Sequence, residues 1–287
     1  MPQVRRARLQ IVGAALLFST GGAAIKATAL GGWEVAGLRS GVAALALLLF
    51  LPGARRGFGP RSLAVAVSYA ATLVFFVAGN KLTTSAATIF LQSTAPLYVL
   101  LAGPWLLGER VSRLDLTAMV PVAAGLLMVF LGAGPPGRTA PDPLRGNVLA
   151  ALSGVAWAAT IMGLRWIGPG GPRGETPMGA VVLGNLLAFL ACAPFFGSLA
   201  AAAPRDWLAV GYLGVFQIAV AYSLLASAVR HLRALEVALL ALVEPAVNPL
   251  WAWLAHGEDP GPWTIAGGAL ILGATAARSW LEARRSR

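Results

Sequence analysis

Two ionisable residues lie deep inside apolar runs, Arg39 and Glu244. Placing such a group at the centre of a membrane helix costs roughly 2.5 to 3.5 kcal/mol on insertion scales, so each must face protein or water rather than lipid. Glu244 shares a helix face with Glu236, Leu240, Asn248 and Trp251, which recur at spacings of three and four. A carboxylate held there could carry a proton in exchange for a substrate; it could equally form a structural pair with Arg39. Pro96 and Pro245 each remove a helix hydrogen bond, which would free the carbonyls of Gln92 and Ala241. They mark the level of a site, or packing bends. Thr84, Thr88 and Gln92 form one stripe beside Pro96, with Tyr98 beyond it. Trp157 falls in the middle of an apolar run, where its ring could stack on an aromatic substrate or fill space against glycines. Asn80 and Lys81, with Gln217 and Tyr222, are candidates for an outer vestibule. Lys26 and Lys81 are the only lysines; each suits a compact ammonium site or a snorkelling position. The candidate substrate contacts are therefore Asn80, Lys81, Thr88, Gln92, Tyr98, Trp157, Gln217, Tyr222, Glu244 and Asn248.

Other chemistries lack their residues. One cysteine, Cys192, excludes an internal disulfide and a thiolate metal cluster, and His231 and His256 alone make an imidazole metal site hard to build. Both histidines sit near the ends of apolar runs, and no His-Asp or His-Glu grouping falls within one helix turn inside a run, which argues against an intramembrane enzyme. The stretch GPGGPRG at 168–174 lacks the Lys-Ser/Thr ending and the preceding strand of a phosphate loop, so ATP coupling has no support. No cofactor is expected.

These side chains need elements to hold them, and composition says what kind. Hydrophobic residues make up 57% of 287 positions, charged residues 11%, and mean hydropathy is +0.74. That is more apolar surface than one soluble core hides, so lipid is the main solvent. The polar stretches Gly134 to Arg145 and Gly168 to Thr176 are too short to fold alone. With no water in the hydrocarbon to satisfy the backbone, each run of about 20 apolar residues should be helical. About ten such runs occur, near residues 9–28, 32–51, 62–79, 84–107, 114–131, 146–166, 178–199, 207–227, 234–255 and 263–281. The fold class expected is an all-α integral membrane protein.

The net charge of +11 does not imply nucleic acid, because the arginines form short clusters between apolar runs rather than one stripe. With a cytoplasmic amino terminus, the outer loops receive only Lys26, Lys81, Arg138, Arg145 and Arg205. Apart from Arg39 inside the second run, the inner side takes the remaining arginines, from Arg5, Arg6 and Arg8 to Arg284, Arg285 and Arg287. That asymmetry places both termini inside. Trp33, Trp105, Trp166, Trp207, Trp263 and Trp280 fall near run ends, where interfacial anchors belong.

The chain also repeats. SAATIFLQSTAPLYVLLAGPWLLGE at 85–109 aligns without a gap on ALEVALLALVEPAVNPLWAWLAHGE at 234–258, so Ala95-Pro96 meets Glu244-Pro245 and Gly108-Glu109 meets Gly257-Glu258. VGAALLFS at 12–19 pairs more loosely with VLAALSGV at 148–155. Two units follow, 1–133 and 134–287. With five crossings each, an odd number, the second must be inverted relative to the first, an arrangement common in transporters. Duplication for bundle stability alone is the plainer alternative.

Lys26, Arg39, Ser85-Ala86-Ala87, Ala95-Pro96 and Leu107-Gly108-Glu109 resemble the drug/metabolite transporter superfamily, in particular its ten-helix EamA-type exporters. Pro245 and Gly257-Glu258 repeat part of the pattern. Within that group the sequence is similar to aromatic amino acid exporters. The resemblance implies a multi-pass exporter of the bacterial cytoplasmic (inner) membrane with its pathway between the halves. Its partners would be a small-molecule substrate and the lipid bilayer; it sets no oligomeric state. Glu244 stands where the first half has Ala95, so the two halves are not equivalent at the site. The leading reading is export of a small amphipathic metabolite, an aromatic or hydrophobic amino acid, by alternating access. Efflux of drugs or cationic compounds is the nearest alternative, with a passive channel and an intramembrane enzyme further off.

Overall fold

The computed structural model describes residues 2–107, 113–167, 174–229, 231 and 240–285. Among them there is no strand; the single isolated bridge, Gly137 to Ala140, closes a turn. In chain order the helices are α1 (Pro2–Ser19), α2 (Gly21–Lys26), α3 (Gly32–Phe50), α4 (Pro60–Leu82), α5 (Ser85–Gln92), α6 (Ala95–Leu107) and α7 (Arg113–Leu131). After these come α8 (Pro143–Ile167), α9 (Pro177–Cys192), α10 (Pro204–Tyr212), α11 (Ala221–Val229), α12 (Val243–His256) and α13 (Pro262–Arg285). A 3-10 segment, Ala193–Ala201, extends α9, and a π-helical segment, Leu213–Val220, joins α10 to α11.

Local signals set several starts. Proline opens α4, α9 and α10, where its missing N–H has no intrahelical partner to lose. Thr84 accepts from the Ala87 amide at 3.1 Å and Thr176 from the Gly179 amide at 3.0 Å, capping α5 and α9. Glu34 and Asp206 reach back from the first turns of α3 and α10 to the amides of Gly31 and Ala203.

Six helical segments are long and apolar enough to cross a membrane: Gln3–Lys26, Gly32–Phe50, Pro60–Leu82, Pro143–Ile167, Pro177–Gly197 and Pro204–Leu225. The other four expected runs differ in kind. The fourth is not one helix but two, α5 and α6, parted at Ser93 and Thr94. The fifth is apolar over Leu116–Leu131. The ninth, with Glu236, falls partly on 232–239, outside the described residues, as do Gly108 and Glu109. The tenth, α13, ends in a charged turn. Phe50, Val120, Leu208 and Trp105 are 70% to 91% exposed; side chains of this kind need lipid around them.

Helix α4 is central, packed against α3, α8 and α9. Its partner α8 runs antiparallel: a Cβ on Gly146 would meet Thr83 at 2.6 Å, and one on Gly163 would meet Val65 at 2.5 Å. Glycine here removes the side chain that would hold two backbones apart. The same holds where α7 crosses α13, with Gly125 and Gly267 each placing a notional Cβ 2.6 Å from the other's carbonyl oxygen. The bundle has two recognisable ends. At one, the Arg61 guanidinium lies 4.6 Å over the Trp166 ring and Thr176 N donates to Gly57 O at 3.1 Å. At the other, Asp142 N donates to Leu82 O at 3.0 Å and Ala29 N to Asp206 at 2.8 Å.

Gly267→Val should lower the thermal unfolding midpoint in detergent, by the ~1 to 3 kcal/mol typical of an overpacked contact. Leu270→Ala, on the same helix and 36% exposed, should leave it unchanged. Equal midpoints for the two variants would remove the α7–α13 crossing as a determinant of stability.

Candidate functional site

A cavity of about 220 Å³ opens among α1, α3, α4, α8, α11 and the starts and ends of broken helices. Its walls are largely apolar, with Ile11, Ala14 and Phe18 from α1 and Leu73 and Phe76 from α4. Into this surface project Arg39, Thr72, Gln92, Trp157, Gln217, Tyr222 and Glu244.

Arg39 is 2% exposed. Its Nη1 donates to Gln217 Oε1 at 3.3 Å and its Nη2 to Leu73 O at 3.4 Å, both long, while Nε has no partner. The guanidinium is thus anchored at the wall with donor capacity left over. Gln217 reaches it because the π-helical segment widens the turn there, a local geometry that frequently accompanies function. Gly214 permits the approach, since a Cβ would lie 2.6 Å from Val42 Cβ and 2.8 Å from Arg39 O.

Near Arg39, Tyr222 packs edge-on against Phe18, with centroids 5.1 Å apart, and against Tyr69 at 5.8 Å. Gln92, at the end of α5, donates to Ser153 Oγ at 2.7 Å, and Ser153 donates to Thr72 O at 3.2 Å. Trp157 stands one turn beyond Ser153 on α8. Glu244 lies in the first turn of α12. Among the described residues its carboxylate has no hydrogen bond or ion pair, so the Arg39–Glu244 pair offered by the sequence is not formed. The two opposite charges line one cavity separately.

The interruptions in the two repeated segments, 85–109 and 234–258, lie at this cavity. The chain leaves α-helix at Ser93–Thr94, just after Gln92, and at Leu242, between Ala241 and Glu244. Pro96 and Pro245 are therefore not mid-helix kinks, as the sequence suggested; they sit in the first turns of α6 and α12. Proline there gives up no intrahelical bond. At the first break Thr94 N donates to Leu91 O at 3.3 Å and Leu97 N to Thr94 O at 2.8 Å, so the turn closes on itself. Gly154 on α8 lets it nest, a Cβ there meeting Leu91 O at 2.9 Å. Prolines that do lie inside helices are Pro104, Pro121 and Pro249.

Of the ten sequence candidates, the structure brings Gln92, Trp157, Gln217, Tyr222 and Glu244 to this cavity. Five lie elsewhere. Thr88 donates back to Thr84 O at 2.9 Å within its own helix. Lys81 Nζ is held by Thr28 O at 2.6 Å and Thr28 Oγ1 at 2.9 Å. Tyr98 is half-buried on α6. Asn80 and Asn248 are wholly buried on either side of Ser85 and Gly22, beyond the cavity. Residues missing from that set are Arg39, singled out in the sequence as a charge inside an apolar run but not counted among the substrate contacts, and Phe18, Thr72 and Phe76. Thr72 and Phe76 share a face of α4 at a spacing of four, but nothing in the sequence separates that face from a lipid-facing one. Among the described residues no group of three or more His, Cys, Asp or Glu could hold a metal ion.

No curated protein matches the chain. A crystal structure of another protein aligns over 97% of this chain and 98% of its own, with a TM-score of 0.65 at 24% sequence identity, a likeness of fold. The EamA-like transporter family matches the sequence twice, over residues 5–131 and again over 144–279. Helices suited to lipid, a two-copy sequence and a central cavity agree with that match: the chain belongs to the EamA-like transporter family, membrane transporters of the drug/metabolite type.

Proposed function

We propose that the protein exports a small amphipathic zwitterion, an aromatic or hydrophobic amino acid, by alternating access around this cavity. The observation that carries the reading is the pairing of an anchored guanidinium, Arg39, and an unpaired carboxylate, Glu244, on the walls of one mostly apolar cavity. A free α-amino acid carries both complementary charges. Arg39 Nε and the remaining guanidinium protons suit its carboxylate, and Glu244 suits its ammonium. Trp157, Phe18 and Phe76 supply flat apolar surface for the side chain. Leaving either charge alone in a low-dielectric site is costly, so a ligand that neutralises both is favoured over one that answers a single sign.

The two units, 1–133 and 134–287, act in this reading as inverted five-helix bundles, ten crossings in all. Broken helices at corresponding places, before Pro96 and Pro245, support a shared site level. The bacterial inner membrane is the setting the family resemblance favours, and the loop arginines favour both termini in the cytoplasm. The chemistry is movement rather than catalysis, and Glu244 is the group able to exchange a proton against substrate.

Counterflow in proteoliposomes tests this. Internal unlabelled phenylalanine should accelerate uptake of labelled phenylalanine; no exchange across a broad panel of amino acids, with exchange of a cationic dye instead, would replace the amino acid reading by cation efflux. Arg39→Met should cut amino acid exchange more than about tenfold while the unfolding midpoint holds or rises, because replacing a buried charge by an apolar side chain of similar length is often neutral or stabilising. A fall in midpoint with exchange retained would make Arg39 structural. Trp157→Ala should weaken aromatic relative to aliphatic substrates by about 2- to 12-fold, the ~0.5 to 1.5 kcal/mol of an aromatic pair; equal losses would reduce Trp157 to packing. Glu244→Gln should flatten the pH dependence of exchange, and an unchanged pH profile would remove Glu244 as proton carrier.

A further inference from the structure

Beyond the cavity, towards the end of the bundle away from the amino terminus, lies a second polar group of residues that the substrate site does not use. Lys26 Nζ is 3.1 Å from Glu258 Oε2, with the side chains 5% and 1% exposed. The pair is clasped by four separate segments. Lys26, ending α2, also donates to Thr83 O at 2.8 Å and to Thr139 O. Glu258 Oε1 accepts from Ser85 N, at the start of α5, at 2.5 Å. Glu258 is brought there by Gly257, whose φ of +63° ends α12 in the left-handed conformation glycine adopts without strain. One ion pair therefore joins α2, the α4–α5 connection, the α7–α8 connection and the chain after α12.

Between this pair and the cavity stand buried polar atoms without partners. Asn80 donates to Ser85 Oγ at 3.3 Å, but its Oδ1 has no partner, and neither amide atom of Asn248 has one. Both residues are 0% exposed. Gly22 lets them converge: a Cβ there would lie 2.9 Å from Ser85 Oγ and 3.0 Å from Asn248 Oδ1. A buried polar atom without a protein partner is costly, and a purely structural plug of apolar residues would not carry that cost. Along α1 and α2 the order is Phe18 at the cavity, Gly22 at the amides and Lys26 at the pair. Along α12 and its end it is Glu244, Asn248 and Glu258.

We infer that the Lys26–Glu258 pair is the gate that closes the transport pathway at this end, with Asn80, Ser85 and Asn248 as the polar stretch beneath it. The inference rests on the transport reading above. In the closed state the pair is formed and these amide atoms have no protein partner; in the open state the pair is broken and hydrated, and the amides are free to meet passing substrate.

The test reads access, not transport. In a Cys192→Ala background, Ser85→Cys is the reporter, treated in intact cells with a membrane-impermeant sulfonated methanethiosulfonate; Arg138→Cys, exposed at the same end, checks that this end faces the reagent. Ser85→Cys alone should label slowly. Combining it with Lys26→Met and Glu258→Gln, which removes both charges and strands neither, should speed labelling at least tenfold. The swapped pair Lys26→Glu with Glu258→Lys should slow it again. Labelling that stays slow in the neutral variant overturns the gate. So does failure of that variant to reach the membrane while the swapped protein does, which makes the pair a structural clamp. Faster labelling without exchange of any amino acid would leave the gate standing and remove the substrate reading.

Discussion

The separation of two ionisable side chains within one buried cavity governs the structure around it. Arg39 and Glu244 line one cavity, yet they do not meet, and a direct ion pair would have been the cheaper solution. Everything near them follows from that separation. Arg39 is held at its wall by Gln217 and by the Leu73 carbonyl. The tether needs the π-helical turn that aims Gln217, and that turn needs Gly214 to come close to α3. Glu244 is fixed at the start of α12, directly after the chain has left helix at Leu242.

Irregular backbone is tolerated at membrane depth only where protein or a water-filled cavity covers it, and both interruptions obey that rule. The break after Gln92 is enclosed by Gly154 and closed by Thr94 through its hydroxyl and its own backbone. Half-helices have an advantage over continuous ones here. Each part can tilt with its neighbours while the break absorbs the change, so the elements carrying Gln92 and Glu244 can move without unfolding a whole span. The glycine crossings of α4 on α8 and α7 on α13 bring those helix backbones into close contact.

The sequence disclosed the fold class because its signal is long: apolar runs with arginines between them leave few other structures. It drew attention to Arg39 and Glu244 because charge in an apolar run is expensive wherever it lies, and to Gln92 and Trp157 as polar and aromatic groups within runs; Gln217 and Tyr222, expected in an outer vestibule, line the same cavity as Arg39 instead. It did not place Thr88, Lys81, Asn80 or Asn248, since a helical stripe gives a face but neither the depth nor the partner. Thr88 turned to its own helix, and Lys81 was taken by Thr28. Pro96 and Pro245 lie beside helix breaks near the cavity but not as kinks, because proline fits a helix start as well as a kink and only the neighbouring chain decides. The π-helical turn left no trace in the spacing of apolar residues, and Phe18 and Phe76 are indistinguishable in sequence from phenylalanines that face lipid. Lys26 and Glu258 lie far apart in the chain, and only the folded bundle shows that they meet.

The substrate site stands or falls on what occupies the space between the two charges. A cryo-EM structure in lipid nanodiscs at saturating phenylalanine addresses this directly. The expected result is ligand density in the cavity, with its carboxylate at Arg39, its ammonium at Glu244 and its ring against Trp157. An empty cavity with Arg39 and Glu244 drawn into a direct ion pair would contradict it.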